Sequence, residues 1–80
     1  MENTRIAIIG IIVSDLNSAE KVNALLHEYA DIIIGRMGIP HRAKGVSIIS
    51  VAVDGNVNVI NALTGKLGMI ENVSSKALCR

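Results

Sequence analysis

The sequence of 80 residues has no Phe, no Trp and one Tyr, Tyr29. Aromatic side chains are the largest apolar anchors available to a core, so this core must be built from Ile, Val and Leu. RNA-binding modules also stack bases on aromatic residues of a sheet, and that mode has no residues here to serve it. One Cys, Cys79, excludes an intrachain disulfide framework and a four-Cys zinc site. Charge of one sign is also missing. Eight Lys and Arg against seven Asp and Glu give a net charge of +1, with neither a basic footprint for nucleic acid nor an acidic tail. The longest apolar run, residues 6–13, is eight residues counting Gly10, too short to span a bilayer. It also lacks the flanks of a signal peptide. Residues 1–5 balance one acid against one base, and Ser14-Asp15 stand where small cleavage-site residues belong. The expected location is the cytoplasm, where a free thiol fits the reducing environment.

Half of the residues are hydrophobic and 19% are charged, which describes a folded chain of one small domain rather than a disordered one. A domain this small buries only roughly 60–65% of the surface its unfolded chain exposes. Disulfides and metals, two common reinforcements, are absent or thinly supplied. Oligomerisation is the third.

Residues 5–13 are short and dense in β-branched side chains, which predicts a buried strand. Residues 15–18 carry turn and helix-start chemistry, and Asn17 with Glu20 has capping-box spacing. A helix follows to Tyr29 or Ala30, with Val22, Leu25, Leu26 and Tyr29 forming one apolar stripe. Residues 32–39 are read as a second strand and 46–53 as a third, joined across the polar segment 40–45. Residues 54–56 are expected to turn, with Asp54 or Asn56 capping a second helix whose apolar positions are Val57, Ile60, Leu63 and Leu67. Gly68 is placed as its left-handed stop. Residues 73–79 alternate as a fourth strand. The order β-α-β-β-α-β predicts the α+β ferredoxin-like arrangement, a four-stranded antiparallel sheet with both helices on one face.

In that arrangement one face of the sheet meets water and should be polar. The first strand instead carries Ile6, Ile8, Gly10 and Ile12 on one side and Ala7, Ile9, Ile11 and Val13 on the other. The third strand is likewise apolar on both sides. A bare face of this kind exceeds the few hundred Å² that soluble monomers usually leave exposed. The expectation is a homo-oligomer, dimer or tetramer, packed sheet against sheet.

Candidate chemistry is sparse. Ser14, Asp15 and Asn17, with the first N–H groups of the helix, could bind a small polar effector, or serve only as a turn and cap. His27, His41 and Cys79 could form a transition-metal set across a subunit interface, although no two have chelate spacing. The alternative is two exposed histidines and a thiol at a strand end. Arg36, Arg42 and Lys44 offer a place for an anion or a partner's acidic face, or are solvated hairpin charges. No nucleophile stands beside a base, so no catalytic residues and no cofactor are assigned. Gly65-Lys66-Leu67-Gly68 lacks the spacing of a phosphate loop. Metal-chaperone domains of this fold carry C-x-x-C after the first strand, where this chain has Ser14-Asp15.

Three segments resemble a family. Residues 22–36 (VNALLHEYADIIIGR), then Met37-Gly38-Ile39-Pro40, then residues 60–70 (INALTGKLGMI) are similar to small proteins provisionally named iron-only hydrogenase system regulators. The family pattern is a helix ending in "LLH", a "GxP" before the hairpin and "ALSGKLG" on the second helix. The family is similar in turn to ACT domains and to the C-terminal domain of the nickel-responsive regulator. The resemblance implies a ferredoxin-like, ACT-like fold and oligomers built through sheets. The nickel-responsive regulator places a DNA-binding segment before this domain, whereas this chain opens almost directly into its first strand. Direct nucleic-acid or membrane binding is therefore not expected, and any role in transcription would run through a partner protein. The histidine-rich metal set of that regulator is missing as well. The expected function is a non-catalytic regulatory module of a hydrogenase system that self-associates and binds a small effector at the subunit interface. The alternative is a structural or interaction protein that docks on a maturation enzyme without an effector.

Overall fold

The computed structural model describes residues 4–80, beginning with strand β1, Thr4–Val13. Its two faces separate cleanly. Ala7, Ile9, Ile11 and Val13 are at most 2% exposed, while Ile6, Ile8 and Ile12 are about half exposed at 48–50%. Helix α1, Leu16–Glu28, follows at once. Its cap is Asp15 rather than Asn17. Asp15 has extended backbone (φ −147°, ψ 130°), and its Oδ1 accepts the N–H of Asn17 at 3.1 Å. Asn17 already lies within the helix, so the Asn17–Glu20 capping box does not form. An acceptor at the last non-helical residue is the one positioned to satisfy the orphan N–H groups behind it.

Strand β2, Ile33–His41, pairs antiparallel with β3, Val46–Asn56. The polar segment between them is shorter than the spacing predicts, because Pro40 and His41 belong to β2. Arg42–Lys44 form one 3₁₀ turn, and Gly45 at φ 66° reverses the chain in the left-handed region that favours glycine. Residues 54–56 are likewise strand rather than turn, since Asp54, Gly55 and Asn56 pair with Ile6, Arg5 and Thr4 of β1. Gly55 is required there by close approach. A Cβ would sit 2.9 Å from Ile32 Cγ2.

Helix α2, Val57–Gly68, starts from Asn56, whose side chain accepts the N–H of Asn58 at 2.7 Å. Gly68 is its last helical residue and not a left-handed stop. The helix is followed by a right-handed Met69, and the left-handed residue is Asn72 (φ 66°), just before β4, Val73–Cys79. Asn is the non-glycine residue that tolerates this conformation at small cost.

The strands form one antiparallel sheet in the order β2-β3-β1-β4, the ferredoxin-like topology. One core holds it together. The inward residues of β1 and β3 pack beneath Val22 and Leu26 of α1 and Ile60, Leu63 and Leu67 of α2. Each such side chain contributes roughly 1.5–3 kcal/mol by burial.

Candidate functional site

The antiparallel register decides what lies on the face away from the helices, because directly paired residues share a face. Ile39, Ile48, Ile12 and Ser74 form one row across the four strands. Met37, Ser50, Gly10 and Lys76 form the next, and Gly35, Ala52, Ile8 and Leu78 the third. Beyond them Ile6 lies beside Asp54. Among these, Ile39, Met37 and Leu78 are 52–73% exposed, and Ile48 is 44% exposed. The apolar second face is therefore present and extends onto the outer strands β2 and β4. Gly10 and the small Ser50 and Ser74 leave a shallow hollow beside Ile12 and Ile48, about 430 Å³ in volume.

A separate cleft of about 280 Å³ lies at one end of the sheet. Asp15, Leu16 and Ala19 form one wall, and Pro40, His41 and Arg42 the other. The topology brings these together, since β1 ends where β3 begins, with Val13 opposite Ser47. The β1–α1 turn and the β2–β3 turn are thus neighbours. This register relation was the available signal for Pro40, His41 and Arg42 as companions of Asp15, which residue type alone does not reveal.

Of the three residues assigned to an effector, only Asp15 lines this cleft. Ser14 Oγ donates to the carbonyl of Asn72 at 3.2 Å, and Asp15 Oδ2 accepts from Asn72 Nδ2 at 3.4 Å. Asn17 contributes its backbone N–H to the cap. Much of the polar capacity of this turn thus fastens it to the turn before β4. The metal candidates stay apart within one chain. His27 is on α1, His41 ends β2 and Cys79 ends β4, and among the described residues no three His, Cys, Asp or Glu side chains gather as a metal site.

The basic cluster also divides. Arg42 and Lys44 occupy the hairpin turn, whereas Arg36 reaches across to α1 and donates from Nη2 to Asn23 Oδ1 at 2.5 Å. Tyr29 packs under the ammonium of Lys66, which lies 5.3 Å from the ring centroid. The hydrogen bond and charge of Tyr29 raise the Lys66 pKa above its ordinary value, with Glu28 adding to the same effect.

Residues 5–77 match a protein family described as "TM1266-like: Iron-only hydrogenase system regulator, putative". The chain belongs to that family. That description assigns the family a regulatory role in a hydrogenase system. The structure of the uncharacterized protein TM1266 from Thermotoga maritima is similar to this one with a TM-score of 0.91 and 34% identity, covering 95% of this chain and 96% of that one. The C-terminal domain of the MgtC protein from Mycobacterium tuberculosis shares the fold alone. Its TM-score is 0.78 at 10% identity, over 100% of this chain and 92% of that one. No curated protein matches the chain. Among the described residues of this family member, no helix is long and apolar enough to cross a membrane.

Proposed function

We propose that this family member is a non-catalytic regulatory module that self-associates through its bare sheet face and binds a small polar effector beside Asp15. The carrying observation is the exposed row structure of that face. Seven large apolar side chains are open there, namely Ile6, Ile8, Ile12, Met37, Ile39, Ile48 and Leu78. Together they leave on the order of 700 Å² uncovered, above the roughly 300–600 Å² of the largest patch on a typical monomer. That is close to the roughly 800 Å² per partner of a stable protein interface. A second copy is the occupant this surface suits, since a two-fold axis lets the same patch serve both sides.

The cleft at Asp15 adjoins this face. His41 and Val46 lie two residues beyond Ile39 and Ile48 on the same side, so a stacked copy would border the opening. An effector seated there acts by stabilising one quaternary arrangement over another. Opposite charges on facing walls, Asp15 and Arg42, suit a ligand carrying both signs or a strong dipole.

Light scattering on the purified chain tests the assembly, with a dimer or tetramer expected at micromolar concentration. A stable particle of 8.5 kDa overturns it. A thermal-shift screen of polar metabolites tests the effector. A ligand at 100 times its dissociation constant adds about 2.7 kcal/mol of stability. Loss of that shift on Asp15→Asn or Arg42→Ala places it in the cleft. An oligomer with a flat screen favours the interaction-protein alternative.

A further inference from the structure

A second cleft, of about 380 Å³, lies between α1 and the outer strand β2, near the opposite end of α1 from Asp15. Asn23, Leu26, His27 and Ala30 form one wall, and Ile33 and Arg36 the other. Arg36 pairs with the buried Val51, so its side chain leaves the sheet on the helix side. There Nη2 meets Asn23 Oδ1. A guanidinium has five N–H donors. Among the described residues, this is the only side-chain partner of Arg36, and neither Arg36 nor His27 has a carboxylate within ion-pair distance.

The nearby acids do not fill this gap. Glu28 acts on Lys66, on the α2 side of the helix, and Asp31 is not part of the cleft wall. A neutral amide therefore holds the guanidinium in place and leaves it without a counter-charge from the protein's described residues. The planar fork of Arg suits the paired oxygens of a carboxylate or phosphate. Asn23 and His27 are one helical turn apart, so the imidazole is a second donor along the same wall. Ala30 and the half-buried Ile33 supply apolar surface beside these polar groups.

We propose that this cleft binds a small oxyanion, a carboxylate or phosphate group carried on an apolar body. Arg36 is the fork, His27 the second donor, and Asn23 the residue that positions the fork. The site is independent of self-association and of the Asp15 cleft, so its failure leaves those readings untouched.

The test is an NMR titration of the full chain, ¹⁵N-labelled, with phenyl phosphate and with benzoate, against sodium chloride at matched ionic strength. Saturable shifts are expected at the amides of Asn23, His27 and Arg36 with at least one of the two organic anions. The one that saturates identifies the headgroup. Arg36→Ala and His27→Ala are each expected to weaken binding by roughly tenfold, the loss of one charge-assisted hydrogen bond. His27 is exposed, so His27→Ala, which removes the donor, keeps the test decisive should Arg36→Ala misfold. Undiminished binding by the folded variants, a response equal to that of sodium chloride, or shifts centred on Asp15 and Arg42 would overturn the assignment.

Discussion

The hydroxyl of Ser18 donates to the carbonyl of Glu71 at 2.5 Å, joining the first turn of α1 to the segment that leads into β4. Ser18 is 4% exposed, the one buried polar residue among those described. Ser14 and Asp15 reach the adjacent Asn72 from the same turn. The two crossover connections are thereby fastened to each other at one end of the sheet. Ser18→Ala leaves a part-buried carbonyl without its donor and is expected to cost about 1–2 kcal/mol. Urea denaturation measures the loss. A variant as stable as the parent would remove this contact from the account.

The cap at Asp15 is separable from any ligand role. Asp15→Ala should destabilise the chain by about 1 kcal/mol through loss of the acceptor for the Asn17 N–H. Asp15→Asn keeps an acceptor oxygen and should lose only a few tenths of that order. Thermal unfolding of both variants distinguishes a cap from a charge requirement.

Gly55 and Ile32 form a coupled pair. A methyl at position 55 would meet Ile32 Cγ2 at 2.9 Å, so Gly55→Ala is expected to cost about 1–3 kcal/mol by overpacking. In an Ile32→Ala background the same change should cost less, by about 1 kcal/mol, because Cγ2 is gone and only Cβ, at 3.1 Å, still crowds the added methyl. Additive losses in the double-mutant cycle would show that the strain lies elsewhere.

Ile12 sits in an apolar row and is 50% exposed in the single chain. If a second copy covers it, Ile12→Lys should yield a folded monomer by light scattering, with retained circular dichroism. An unchanged oligomer would mean that assembly uses another surface.

Lys66 links stability to alkaline pH. Its pKa is raised in the fold by Tyr29, from an ordinary value of 10.5. A raised cation pKa stabilises fully below the unfolded value and loses its contribution as pH climbs through the higher folded value. The deficit of Lys66→Met is therefore expected to be equal at pH 6 and pH 9 and to shrink above about pH 10.5. Chemical denaturation across that range checks the direction, and a deficit that stays constant to higher pH contradicts it.

The strands and helices were readable because their causes are local. β-branched density marked β1 and β3, and the three-to-four-residue recurrence of Val22, Leu26, Ile60, Leu63 and Leu67 marked the helices. The errors fell at boundaries, where tertiary pairing overrides turn chemistry. Asp54-Gly55-Asn56 resembles a turn, yet β1 offers three partners that keep it in the ladder. Both Asp15 and Asn17 were readable as caps, because Ser-, Asp- and Asn-rich starts contain several side chains able to accept the first N–H, and the structure gives the role to Asp15. Of the candidate site, Asp15 was legible as a turn acid. Its neighbours His41 and Arg42 were not, because they lie more than twenty-five residues away along the chain and meet it only through the register.

By its own composition and alternation, this sequence determined a β-α-β-β-α-β order with isoleucine on both sides of the strand β1. Hydrophobic period is a property of consecutive residues, and no distant partner is needed to set it. The tertiary structure alone decided which polar groups meet. It tied Ser14, Asp15 and Ser18 to residues 71 and 72, carried Arg36 away from Arg42 and onto Asn23, and kept His27, His41 and Cys79 on separate elements. Such meetings depend on register and crossover geometry, which bring distant segments together without leaving a local pattern in either one.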